Sequence, residues 1–132
     1  EYDALVVTYD THYENYLETR EGVQLPIPHC IFGITGWCVV DELNHPEHKH
    51  INKPTFGYKY WEYEIDDGNE EIENIELVGT CTDICVLSNA ILLKTAYPNI
   101  PISVDHSCCA GLTPEKHDAA LAVMASCQIN VY

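Results

Sequence analysis

The chain has 132 residues, of which 46% are apolar, and its 21 Asp and Glu against 6 Lys and Arg give a formal net charge of −15. That is chain enough for one small domain, with enough apolar residues to bury a core despite the charge. So acidic a chain offers no basic groove to a nucleic-acid backbone and is repelled by anionic membranes, and no apolar run is long enough to span a bilayer.

The predicted elements begin at Ala4-Leu5-Val6-Val7, a Val-rich run that reads as a buried strand ending near Thr8-Tyr9. No basic stretch followed by an apolar core opens the chain, so no secretory leader is expected. Asp10-Thr11-His12 follows the strand. From there to Pro28, with Gly22 and Pro26 as punctuation, the chain reads as irregular. His29 to Gly33 and a turn at Gly36 come next, then a short helix over Trp37 to Leu43. Residues 44–50, with His45, His48 and His50, read as a solvated loop. Ile51 to Pro54 ends a short strand, because proline cannot extend a central ladder. Tyr58 to Asp66 reads as a short helix or aromatic segment, Asp67-Gly68-Asn69 as a turn, and Glu70 to Glu76 as a wet acidic run.

The second half carries clearer signals. Ile75 to Gly79 is a predicted strand. Thr82-Asp83 offers a helix cap, and Ile84 to Tyr97, apolar nearly all round, reads as a buried helix stopped by Pro98. Ile102 to Asp105 is the next strand. Thr113-Pro114-Glu115 starts a helix with a capping hydroxyl, a first-turn proline and an acid, and Ala120, Val123, Met124 and Cys127 share its apolar face. Gln128 to Tyr132 is a last strand. Strand and helix alternating in this way predict a parallel sheet covered by helices. The 7 cysteines are odd in number, form no CxxC pair and fall in or beside apolar segments, so they read as reduced, mostly buried thiols of a cytoplasmic protein. Vicinal Cys108-Cys109 reads as a tight turn after a strand.

Gly79-Thr80-Cys81-Thr82-Asp83-Ile84-Cys85-Val86 links a predicted strand to a predicted helix and places Cys85 in the helix's first turn. Unpaired N–H groups and the positive dipole end favour a thiolate there. This stretch resembles the nucleophile turn of the isochorismatase-like cysteine hydrolases, the group that includes nicotinamidases. The resemblance continues through Ser-Cys-Cys-Ala-Gly at 107–111 and Thr-Pro-Glu-Lys-His at 113–117. With Lys53 and the segment from Asp10 to Gly36 it covers nearly the whole chain.

The resemblance implies a three-layer, doubly wound, mostly parallel α/β fold of Rossmann-like form, as a single domain over 1–132. It implies that Cys85 attacks an amide carbonyl and that the Thr80–Cys81 peptide is cis. The backbone N–H groups of Cys81 and Cys85 then form the oxyanion hole. Lys53, in Asn-Lys-Pro-Thr-Phe-Gly, matches the family's catalytic lysine, whose charge lowers a nearby thiol's pKa, and Phe56 walls the substrate pocket.

Asp10 and His12 share one face at a strand end, and His29 lies beyond a loop able to fold back. One carboxylate and two imidazoles suit a divalent cation with open positions, although such pairs are more often hydrogen-bonded surface groups. Nicotinamidases carry an Asp-x-His motif and a later His before a cysteine, as in Pro28-His29-Cys30 here, and in that family the metal accepts the substrate's pyridine nitrogen. The implied cofactor is a divalent metal ion, zinc foremost, with iron or manganese as alternatives.

The family's general base is an aspartate in an Asp-x-Gln-Asn-Asp-Phe-like segment of its first strand, and no such segment occurs here. The chain is therefore expected to start at the family's second strand, truncated at its N-terminus. The expected activity is that of a nicotinamidase-like amidohydrolase in NAD salvage. It would act on a small-molecule amide through a thioester, as a homo-oligomer without nucleic-acid or membrane partners. The alternative is a non-catalytic metal- or ligand-binding relative that lacks the base.

Overall fold

The computed structural model describes residues 2–65 and 72–132. The chain falls into two compact units, Glu1–Thr55 and Phe56–Tyr132. The turn expected at Asp67-Gly68-Asn69 lies outside the described residues, as does the start of the acidic run after it.

The first unit is built on two parallel strands, β1 (Val6–Asp10) and β2 (Lys49–Lys53), in register from Val6 opposite Lys49 to Asp10 opposite Lys53. β1 begins later than expected and alternates: Val7 and Tyr9 are buried, while Val6, Thr8 and Asp10 are half-buried. It is thus a strand with one well-covered face. β2 starts two residues earlier than the polar loop reading allowed, and Pro54 ends it as expected. Ile51 and Lys53 are its buried residues.

The stretch read as irregular holds structure of its own. A 3-10 turn spans Tyr16–Glu18, and a short helix, α1 (Arg20–Gln24), follows from Thr19, whose hydroxyl accepts the Gly22 N–H at 3.0 Å. Gly22 is required by crowding: a Cβ there would collide with the backbone of Tyr16 and Leu17. Trp37 to Leu43 is not a helix; a 3-10 turn over Thr35–Trp37 takes its place. Trp37 is held there by its indole, whose Nε1 donates to Thr11 Oγ1 at 3.0 Å and whose ring packs on Tyr9.

In the second unit three parallel strands lie in sequence order, β3 (Ile75–Thr80), β4 (Ile102–Ala110) and β5 (Asn130–Val131). The connections carry α3 (Leu87–Ala96) and α4 (Pro114–Ser126), while α2 (Trp61–Glu64) precedes the sheet. This is the expected parallel α/β arrangement. β4 runs further than expected, and Cys108-Cys109 lie inside it rather than in a turn after it. The register breaks between Leu77, opposite Val104, and Gly79, opposite Cys109.

Ala90, Leu93, Ile102, Val104, Ala120, Met124 and Ile129 form the core of this unit. On α4, Ala120 and Met124 face inward, whereas Val123 is 48% exposed and Cys127 is exposed, so its buried face is narrower than expected. α3 buries only Asn89, Ala90 and Leu93 rather than its whole circumference. The cysteines also differ from expectation. All seven are free, but none is buried: four are half-buried and Cys38, Cys108 and Cys127 are exposed. Proximity to apolar runs misled here, because these thiols sit at turns, helix ends and the irregular part of β4. Among the described residues no helix is long and apolar enough to cross a membrane.

Candidate functional site

In the first unit the end of β1 is a collecting point. Asp10 closes the strand, and His12 extends it through a parallel bridge to Ile31, its N–H donating to the Cys30 carbonyl at 2.9 Å. That bridge folds the 29–32 segment back and brings His29 to the strand end. One ligand atom each from Asp10, His12 and His29 then lies within 4.8 Å of the others. His12 is 7% exposed.

A fourth group joins them that no sequence signal singled out. Glu21, in the first turn of α1, places Oε1 3.4 Å from His12 Nε2 and 3.8 Å from His29 Nε2. Asp10 Oδ2 stands 3.4 Å and 3.7 Å from the same two nitrogens. These separations exceed the about 2.7–2.9 Å of a charge-assisted hydrogen bond. The two to His12 match the about 3.3–3.6 Å between atoms that share a tetrahedral cation at bonds of about 2.0–2.2 Å, and the two to His29 are slightly longer.

Two further observations fit a cation. Asp10 Oδ1 and His12 Nε2 are buried atoms with no hydrogen-bond partner. His29 Nδ1 lies 2.8 Å from the Ile27 carbonyl, which can only accept, so Nδ1 is the donor and Nε2 is the nitrogen left to face the cluster, as a lone pair when the ring is neutral. The residues present therefore fit a divalent metal ion. Tyr16 packs against both imidazoles, and burial, followed by the charges of Glu21 and Asp10, pushes its hydroxyl above the usual phenol range.

Lys53 is 2% exposed and joins the cluster from the second strand, its Nζ 3.8 Å from Asp10 Oδ1. The pairing of Asp10 with Lys53 across the two strands sets this contact. The histidines of the 44–50 stretch are engaged elsewhere. His50 Nε2 donates to the His45 carbonyl at 2.9 Å, and its Nδ1 accepts from the Tyr9 hydroxyl at 2.9 Å. His48 Nδ1 donates to the Leu43 carbonyl at 3.0 Å. Among the described residues, no cluster of His, Cys, Asp or Glu other than the one around Asp10, His12 and His29 is grouped closely enough to hold a metal.

In the second unit the chain leaves β3 through Gly79, at φ +124, and a cis peptide between Thr80 and Cys81. Thr82–Val86 then form a wide π-type turn ahead of α3, in place of the ordinary helix start expected from sequence. The Cys81 carbonyl accepts N–H groups from both Ile84 and Val86 at 3.1 Å, on either side of Cys85.

Neighbouring elements pin the turn. Thr82 is fully buried, with Oγ1 2.8 Å from His117 Nδ1 of α4. Asp83 Oδ1 accepts the Leu112 N–H at 3.0 Å, beside Gly111, where a Cβ would meet both Asp83 and the His117 backbone at 3.0 Å. The Cys85 carbonyl accepts from Asn89 Nδ2 at 2.8 Å. Phe56 is 43% exposed, and its carbonyl is held by the same Asn89 amide. Asn89 went unremarked in the sequence, although its spacing of four from Cys85 is the distance at which a helical side chain reaches back to a carbonyl.

A model of the isochorismatase domain matches residues 4–132. Solved structures agree in fold. A nicotinamidase from Bacillus subtilis superposes with a TM-score of 0.79 at 24% identity, covering 98% of this chain and 74% of that one. A pyrazinamidase from Pyrococcus horikoshii in complex with zinc gives 0.78 at 23% identity, covering 98% and 74%. A pyrazinamidase/nicotinamidase from Streptococcus mutans gives 0.78 at 26% identity, covering 98% and 76%. No curated protein matches the chain.

Proposed function

The chain belongs to the isochorismatase family, and we propose that it is a cysteine amidohydrolase of nicotinamidase type, converting a small carboxamide to its acid and ammonia. The observation that supports this reading best is the convergence of Asp10, His12 and His29, because relatives acting on other amides often lack that set. Similarity to a pyrazinamidase crystallised with zinc points the same way.

In this reading Cys85 Sγ attacks the amide carbonyl carbon as a thiolate. The N–H groups of Cys81 and Cys85 receive the charge that develops on oxygen; one such donor is worth about 3 kcal/mol. The C–N bond breaks, and nitrogen leaves as ammonia with the thiol's proton, which the aspartate of the family's first strand would take from sulfur and pass on. Water then attacks the thioester, releasing the acid and restoring Sγ–H. By the family resemblance, Lys53 would supply the fixed positive charge that favours the thiolate. Asp10, His12, His29 and Glu21 would hold a divalent cation, zinc foremost, which supplies a Lewis-acid position for a ring nitrogen of the substrate.

The test is ammonia release from nicotinamide by the zinc-loaded chain and by the same chain preceded by a family-like strand ending in aspartate. Cys85→Ala should abolish release in whichever form is active, and release that survives it sinks the reading. Zinc uptake with no release from either form favours a relative that binds without turning over.

A further inference from the structure

Asn89 is 6% exposed and uses its whole amide. Oδ1 accepts from the Tyr58 N–H at 2.8 Å and from Trp61 Nε1 at 3.1 Å. Nδ2 donates to the Phe56 carbonyl at 3.1 Å and to the Cys85 carbonyl at 2.8 Å. One side chain thus ties the turn that carries Cys85 to the backbone that carries Phe56. An apolar residue would fill the space but make none of these bonds, so it is the amide that joins the two segments.

From this arrangement we propose that Asn89 is a positioning residue. It locks the Cys85 turn to the Phe56–Trp61 segment, so that the nucleophile and the residue beside the substrate keep a fixed relation. The proposal rests on the reading of Cys85 as the nucleophile. It assigns two separable jobs to the Nδ2 donor: one bond orients the Cys85 turn, and the other holds the Phe56 segment.

Asn89→Ser and Asn89→Ala separate the two. A serine hydroxyl in a helix reaches the carbonyl four residues back, as Thr95 Oγ1 does to the Ile91 carbonyl at 2.8 Å in this same helix. Asn89→Ser therefore keeps the bond to Cys85 and loses those to the Phe56–Trp61 segment, whereas Asn89→Ala loses both. The first readout is the rate of Cys85 alkylation by iodoacetamide, followed by peptide mass on the folded full chain. It should stay within about twofold in Asn89→Ser and change at least fivefold in Asn89→Ala. The second is steady-state ammonia release from nicotinamide. Asn89→Ser should raise KM about tenfold with kcat within about threefold, and Asn89→Ala should also lower kcat at least tenfold.

Trp61→Phe removes one bond to Oδ1 and leaves both Nδ2 bonds intact, so it should move neither readout more than twofold. Alkylation rates equal in all four proteins overturn the proposal. So does a rise in KM for Trp61→Phe as large as for Asn89→Ser, and that comparison still decides if Asn89→Ala does not fold. Alkylation rates that follow the expected order without amide hydrolysis by any form leave Asn89 in its role and remove the amidohydrolase reading instead.

Discussion

Chelation should lower the thermal midpoint of the zinc-loaded chain by about 10 °C. A cation that binds only the folded state stabilises it by about 2.7 kcal/mol when free zinc stands at a hundred times its dissociation constant. For a chain between the 60–100 and 150–250 residue classes, about 1 kcal/mol moves the midpoint by about 4 °C. The structure says which side chains carry this effect. His12 Nε2 faces both Asp10 and Glu21 at 3.4 Å and has no hydrogen-bond partner, so His12→Ala removes the atom most dependent on a cation. If that loss weakens binding about a hundredfold, the upper end for residues that merely support a ligand, the same zinc stabilises the variant by only about 0.4 kcal/mol. Its midpoint should then move by less than about 2 °C. The assay is thermal unfolding by circular dichroism with zinc and with excess chelator, on parent and variant side by side. Equal zinc shifts in the two proteins would assign the effect to the thiols and refute the cluster as a metal centre. No shift in the parent with zinc, manganese or iron(II) would refute it more simply.

Other outcomes follow from single contacts. Thr82→Val keeps shape but removes the partner of His117 Nδ1, and should cost about 1–3 kcal/mol in urea unfolding. Met124→Ala, at a fully buried position, should cost about 2–5 kcal/mol, while Val123→Ala next to it should stay within about 0.5 kcal/mol; equal costs would contradict the assigned face of α4. Burial pushes the Cys109 thiol up, so at pH 8 it holds less thiolate than an ordinary cysteine and should alkylate more slowly than exposed Cys127, the gap closing as pH rises. The Ser107 hydroxyl, which donates to it, does most to hold the Asp105 carboxyl below its usual range. A depressed carboxyl adds stability above its unfolded value and loses it as pH falls through the folded one, so Ser107→Ala should be less stable than the parent at pH 7 and equal to it in strong acid.

Features that are local in the chain were legible in the sequence. Thr113 caps α4 through its hydroxyl oxygen, which accepts the Lys116 N–H at 3.2 Å, as the Thr-Pro-Glu order predicts. Pro54 ends β2 because of its own ring. Asp10 and His12 could be paired because a strand fixes their spacing, and the quoted motifs could be matched because they are contiguous. Features that depend on a distant partner were not. Gly22 looked like a loop residue, yet it is small because the Tyr16 backbone lies against it. Glu21 looked like one acid among 21, and only the fold-back of the 29–32 segment gives it two imidazoles to face. The π-type turn before α3 was invisible because its bonding depends on which carbonyl an N–H chooses, and composition carries no trace of that choice. The thiols' exposure was misjudged for a related reason: residue type predicts average burial, not the side of a turn.

The carbonyl that receives His29 Nδ1 belongs to Ile27, which stands between Pro26 and Pro28. Two pyrrolidine rings fix their own φ angles and confine the residue between them to extended conformations, so this acceptor has little freedom to swing away. The imidazole's protonation pattern is thus chosen by backbone stiffness two residues upstream. A ligand held ready in this way does not have to change tautomer when a cation arrives, and the affinity otherwise lost in that rearrangement is kept. Replacing either proline with alanine would leave every metal-facing atom in place and still weaken the grip, through freedom restored to a segment that touches no metal.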